Sequence, residues 1–325
     1  MPKKIEISYR TIIFIAVFGL FLWFLYLVRS VLLGLFVSLI LMSALNPLVE
    51  RLEKLRMPRW LAILIIYIII LAIIVVAVGG VIPPLIEQTS TLIANIPDFF
   101  MQFKVLGIDE KLIASQLSQF AAIPANIFRF LIGVFSNLVG ILGIVVISFY
   151  LLLERQNLDK YLTVLFGEDK QKDIGKIISQ IEVRLGGWVR GTLVLMTFVG
   201  VLNYIGYRII GISYALPLAI LAFVLEIVPN IGPTLAALPG IIIGLTVSPV
   251  LGLAAAGLAF LVQQIENSIL VPRVMKKIAG VNPLVTILLL AIGFKIAGIG
   301  GAILAIPTFI AVQVIVQAVS SPKKL

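Results

Sequence analysis

The chain has 325 residues, 61% hydrophobic and only 12% charged, and its 25 basic and 15 acidic residues leave a net charge of +10. A soluble domain carries about a quarter charged residues, so a single soluble core is excluded, and apolar runs of about 18 or more residues recur, each able to cross a bilayer as a helix. With no cysteine and no histidine, disulfides, thiolate metal sites, Ser–His nucleophiles, zinc-binding HExxH helices and imidazole proton relays are excluded, and no GxxxxGK[ST] phosphate loop occurs.

The predicted elements begin with a basic N-terminus and an apolar run too long for a signal peptide, with no small-residue cleavage site after it. Spans are predicted over 11–28, 31–49, 60–82, 131–153 and 191–207, punctuated by Arg29, by a break at Asn46-Pro47 and by Pro58. Residues 83–130 read as an amphipathic segment. There Leu85, Leu92, Ile96, Phe99 and Phe103 recur at helical spacing, and Pro83-Pro84, Pro97 and Pro124 cut it into short helices. Residues 158–188 read as a second amphipathic segment, with the stripe Ile174, Ile177, Ile181, Leu185 and Trp188 beside Lys176, Glu182 and Arg184. Such helices lie on the bilayer surface or cover the bundle, and the outer one also suits packing against a neighbouring protomer, the two readings not being exclusive.

Arg29, Lys104, Lys111, Arg129 and Arg208 fall on one side of this threading. The other basic residues, Lys295 excepted, fall on the side of the N-terminus. Positive charge marks the cytoplasmic side, so both termini are expected in the cytoplasm and the protein in the inner (plasma) membrane. The basic excess is topology and lipid attraction rather than nucleic-acid binding.

The last third of the chain carries the functional signal. After the span at 191–207, residues 212–228 enter, 229–233 turn, and 234–247 return. Residues 251–269 cross again, 283–292 enter, 293–301 break, and 302–318 return. A span followed by a Pro/Gly-broken pair therefore occurs twice, and the charge rule inverts one unit relative to the other. Inverted repeats with interrupted helices mark the substrate site of secondary transporters, because backbone groups freed at membrane depth survive only where protein, ligand or water satisfies them. Each pair is open to two threadings, a re-entrant hairpin or two full spans. The predicted fold is thus an all-α polytopic bundle of about eight spanning elements with two broken hairpins and amphipathic extramembrane helices. It divides into 1–82 (N-terminal spans), 83–130 (external segment), 131–190 (span plus cytoplasmic helices) and 191–325 (transport region).

Between residues 209 and 272 the only charges are Glu226 and Glu266. A carboxylate in a span costs roughly 2.5–3.5 kcal/mol on insertion scales, so it faces a cavity or a partner. Gln263, Gln264 and Asn267 lie within a turn of Glu266 and offer amide groups. The set suits a polar solute, Na⁺ or a proton; the bland alternative is an inter-helix ion pair with Lys295 or Arg273. Lys295 is a counter-ion, a site for an anionic group, or a side chain that snorkels to the surface. No residue set suits a metal centre or a cofactor, and every aspartate lies outside the spans, so no intramembrane aspartyl dyad and no enzyme activity are expected.

The stretches IVPNIGPTLAALPG (227–240), QQIENSILVPRVM (263–275) and NPLVTILLLAIGFKIAGIGGAILAIPTFIAV (282–312) resemble the C-terminal signature of the autoinducer-2 exporter family, also described as UPF0118-type or PerM-like. The likeness extends to NPLVERLEKLRMPRW (46–60) and IPPLIEQTSTLIANIP (82–97). The resemblance implies a homo-oligomeric inner-membrane transporter. Some members export autoinducer-2, and others are similar to sodium/proton antiporters. The family's Pro-x-x-Gly-Pro turn maps to Pro229, Gly232 and Pro233, with Asn230 inside it, and its Gln-x-x-Glu-Asn segment maps to Gln263, Glu266 and Asn267. Lys295 departs from the pattern, where a small or apolar residue is expected. Two transport functions follow: export of a small polar molecule such as autoinducer-2 by alternating access, or Na⁺/H⁺ antiport through Glu226 and Glu266. A non-transporting membrane scaffold is the reading from a different class.

Overall fold

The computed structural model describes residues 9–76, 138–229, 231–275 and 283–320, with isolated helical positions at 79, 83 and 87. The outer amphipathic segment expected over 83–130 and Asn230 lie outside these residues. Every element among the described residues is helical. They are α1 (Tyr9–Leu27), α2 (Arg29–Glu53), α3 (Arg59–Val76) and α4 (Leu138–Glu154), then α5 (Leu158–Phe166), α6 (Glu168–Ile209), α7 (Ala215–Leu225) and α8 (Ile231–Val247). Then come α9 (Pro249–Ile265), a π turn (Glu266–Leu270), α10 (Val271–Met275) and α11 (Pro283–Ser320). Seven stretches are long and apolar enough to cross a membrane, and α7 and α8 are shorter apolar helices. The molecule is therefore an all-α multi-pass membrane bundle.

Three helices form the N-terminal unit. Met42, Leu45 and Val49 of α2 pack with Ala62, Ile63 and Ile66 of α3 and Leu152 of α4. Arg59 ties their ends together. Its guanidinium donates to the Leu152 carbonyl at 2.7 Å and to Asn46 Oδ1 at 2.8 Å, and pairs with Glu53 at 2.6 Å. By contrast α1 hardly packs. It separates from α2 at the single residue Val28, and none of its described residues is buried. The first two predicted spans thus do not fold back on each other as a helical pair.

The break expected at Asn46-Pro47 is not there; α2 runs through Pro47 to Glu53. Proline lacks an N–H and leaves the carbonyl four residues back without its helical donor. Here that carbonyl belongs to Ser43, and Arg190 of α6 supplies donors instead, to Ser43 O at 3.4 Å and Ala44 O at 2.9 Å. Gly186 lets the two helices close to this distance, since a Cβ there would sit 2.0 Å from Ser43 O.

Residues 168–188 of the amphipathic segment and the following span, expected as separate elements, form one helix, while 158–166 form α5. α6 has 42 residues and at 1.5 Å per residue is about 63 Å long. Its predicted stripe faces inward, with Leu185 and Trp188 buried. It ends in a Schellman motif: Gly211 takes φ +84°, Ile212 N–H reaches Tyr207 O, and Gly211 N–H reaches Arg208 O.

Two helical hairpins follow. α7 has 11 residues, about 16 Å, short of the roughly 30 Å hydrocarbon core. It reverses into α8 within five residues. α9 starts at Ser248, whose hydroxyl accepts from Leu251 N–H at 3.1 Å with Pro249 in the first turn. α11 is itself two helices, because Ala297 (φ −141°) and Gly298 (φ +60°) leave the helical region. The predicted break over 293–301 narrows to these two residues. Gly293 and Gly301 lie backbone to backbone, since a Cβ on Gly301 would stand 2.1 Å from Gly293 O. The two arms therefore fold against each other.

Candidate functional site

Two apolar clusters sandwich the site. On one side Val199 of α6 packs with Leu221 and Ala222 of α7, Ala236 of α8 and Val262 of α9. On the other side Leu185 and Trp188 of α6 pack with Ile40 of α2 and with Leu290, Ala302, Ile306 and Ile310 of α11, with Val228 at the edge. Glu226 lies four residues beyond Ala222, just past the end of α7. Glu266 lies four residues beyond Val262, at the start of the π turn. Both thus lie about one helical turn beyond the first cluster.

The local sequence explains each position. Glu226 follows the last residue of α7, and its backbone N–H closes on Ala222 O at 3.1 Å. The turn then doubles back so sharply that a Cβ on Gly232 would be 1.9 Å from Leu225 O. Only glycine fits there. At Glu266 the helix widens: the Val271 N–H bonds to Glu266 O, an i→i+5 bond. Pro272 cannot donate to Ser268 O, which removes an α-helical bond at this point. Such single-turn π segments re-aim a side chain and recur at functional sites.

The two carboxyl groups meet. Glu226 and Glu266 are each 2% exposed and share a side-chain hydrogen bond. A carboxylate only accepts, so a bond between two carboxyls requires a proton on one of them. The second oxygen of each, Oε2, is buried without a hydrogen-bond partner. No ion pair joins either glutamate to a described lysine or arginine. Lys295 and Arg273, the expected counter-ions, are both exposed.

The other predicted residues scatter. Pro229 and Pro233 are half-buried and Gly232 is buried in the turn beside Glu226. Gln263 is half-buried, while Gln264 and Asn267 are exposed, because the helical period that turns Val262 and Glu266 inward turns these outward. Of the three amides expected beside Glu266, Gln263 is the one that is partly buried. One group was not anticipated: Thr192 of α6 is 5% exposed and its hydroxyl has no partner. Glutamate in an apolar run announces itself by charge, whereas a threonine does not.

With the fold and this carboxyl pair in view, comparison with known proteins is direct. The sequence profile of the AI-2E family of transporters matches residues 12–321. The chain belongs to the AI-2E transporter family. Among its relatives, the candidate transport protein YueF of Bacillus subtilis strain 168 is 31% identical over 290 residues, covering 82% of this chain and 78% of YueF. The candidate transport protein YrrI of the same organism is 26% identical over 300 residues, covering 86% of this chain and 84% of YrrI. YhhT of Escherichia coli K12, also described as a candidate transport protein, is 35% identical over 114 residues, 35% of this chain and 33% of YhhT. This AI-2E family member is thus a membrane transport protein, and its carboxyl pair joins the end of α7 to the end of α9.

Proposed function

We propose that this protein is a proton-coupled secondary transporter in which Glu226 and Glu266 exchange a proton for a monovalent cation. The observation that carries this reading is the buried, hydrogen-bonded carboxyl pair with no basic partner among the described residues. Two carboxylates in contact and out of water would repel each other strongly. A shared proton relieves that repulsion, and so does a cation. The pair with one proton and the pair with one Na⁺ carry the same net charge of −1, so exchange is electroneutral.

The surrounding architecture supports movement. Each half of the transport region is a long helix followed by a helical hairpin, α6 with α7–α8 and α9 with the two arms of α11. The distribution of basic residues favours opposite orientations for the two halves and cytoplasmic termini, in the cell (plasma) membrane. Rocking of one hairpin against the other would open the carboxyl layer alternately to either side. A homo-oligomer remains part of this reading, with the exposed apolar surface shared between lipid and neighbouring copies.

The test uses purified full-length protein in liposomes loaded with a pH-sensitive dye. An outward Na⁺ step is expected to shift the lumenal pH in wild type and to leave Glu226→Gln and Glu266→Gln flat. A flat wild-type trace from folded protein sinks the antiport reading. Export of a small polar molecule such as autoinducer-2 is the second reading, favoured by the family's description. It predicts proton-dependent efflux of that molecule from the same vesicles without a Na⁺ requirement.

A further inference from the structure

Among the described residues, three buried side-chain atoms lack any hydrogen-bond partner: Thr192 Oγ1, Glu226 Oε2 and Glu266 Oε2. All three are oxygens. Two belong to the carboxyl pair, and the third lies on a different helix that packs against both glutamate-bearing segments.

Packing relates their positions. On α6, Thr192 stands between Trp188 of the second cluster and Val199 of the first, on the same inward face at helical spacing. On α7, Glu226 stands between Ala222 of the first cluster and Val228 at the edge of the second. The register is antiparallel throughout. Gly206 lies against Leu258 and Gly200 against Ala219 and Phe223, so moving down α6 toward Thr192 means moving up α7 toward Glu226 and up α9 toward Glu266. The π turn and α10 themselves pack on α6.

The Thr192 hydroxyl also makes no bond to its own backbone. Hydroxyls in these helices habitually donate to the carbonyl four residues back, as Ser38 does to Gly34, Ser43 to Leu39, Thr197 to Leu193 and Thr308 to Leu304, at 2.7–2.8 Å. Thr192 makes no such bond although it is buried. Leaving a buried hydroxyl unpaired costs stability, and a ligand in the site would remove that cost. The end of α7 adds to the case, because Glu226 caps its C-terminus, the negative end of the helix dipole.

We propose that Thr192 Oγ1, Glu226 Oε2 and Glu266 Oε2 together form an all-oxygen site for a dehydrated alkali-metal cation, with Na⁺ or Li⁺ as the fitting sizes. Three oxygens, no nitrogen or sulfur donor and a carboxyl pair that gives up its shared proton suit a small hard monovalent ion. Among the described residues no group of three acidic, histidine or cysteine side chains exists that would hold a divalent or transition metal. The neutral hydroxyl sets affinity and size preference, while the carboxyls carry the exchanged charge.

This rests on the antiport reading, and the experiment separates the two. Proteoliposomes of wild type, Thr192→Val, Thr192→Ser and Glu266→Gln are challenged with NaCl, LiCl and KCl steps while lumenal pH is followed. Thr192→Val keeps the shape and removes the oxygen. It is expected to raise the half-saturating Na⁺ concentration on the order of tenfold, to flatten the Na⁺/Li⁺/K⁺ preference, and to retain the maximal rate. Thr192→Ser restores the oxygen and is expected to behave as wild type. If the valine variant does not fold, Thr192→Ala takes its place with the serine variant as reference. A wild-type half-saturation and ion preference in Thr192→Val, with Glu266→Gln inactive, overturns the ligand role of Thr192 and leaves antiport standing. A wild type without any alkali-cation response overturns both.

Discussion

The two helical hairpins are built alike and differ in where they put charge. The α7–α8 hairpin turns through Gly232 against Leu225 O and holds Glu226 buried beside the turn. The hairpin of α11 turns at Ala297–Gly298 and leaves Lys295, two residues before the turn, exposed. Both tips depend on a close backbone approach that a side chain would block. A charge next to a helix break is therefore not by itself a site. Burial against a partner of matching chemistry distinguishes Glu226 from Lys295.

The largest expected effect that tests this contrast is at the carboxyl. Glu226→Gln removes the exchangeable charge but keeps shape and hydrogen bonding, and should abolish cation-dependent proton flux in liposomes while the protein stays folded by gel filtration. Next come the two turns. Gly232→Ala drives a Cβ into Leu225 O, and overpacking of this kind costs about 1–3 kcal/mol. It should lower the thermal midpoint and, because it displaces Glu226, reduce flux as well. Gly301→Ala meets Gly293 O and should lower the midpoint by a similar amount, with flux falling less, since no carboxyl hangs from that turn. The smallest effect is expected at Lys295→Gln, which should change stability by less than about 0.5 kcal/mol and leave ion preference unaltered. A lost or reversed preference in that variant would break the comparison outright.

The membrane class and the positions of Glu226 and Glu266 were legible in the sequence, since long apolar runs and isolated carboxylates in them have few physical readings. The meeting of the two glutamates was not, because it depends on the antiparallel register of α7 and α9 against α6. Pro47 looked like a helix end because a proline's loss of a donor is local, while its compensation by Arg190 comes from a residue far along the chain. The amides near Glu266 looked like ligands by proximity along the chain. The helical period sends Gln264 and Asn267 to the outside instead. Thr192 gave no signal, since its sequence neighbourhood matches that of Thr197, which satisfies itself on its own helix.

One helix of the fold is longer than a membrane crossing needs. α6 is unbroken for 42 residues, about twice as long as the hydrocarbon layer is thick, and it packs on α2, α5, α7, α9, α10 and α11. Its polar first half, with Lys172 and Lys176 exposed, shares one axis with the half that carries Thr192. In the exchange proposed above, the helix would act mechanically as a pointer whose pivot is the carboxyl layer. A tilt accompanying that exchange would be drawn, magnified, by the far end of α6, and α5, packed against it, would move with it.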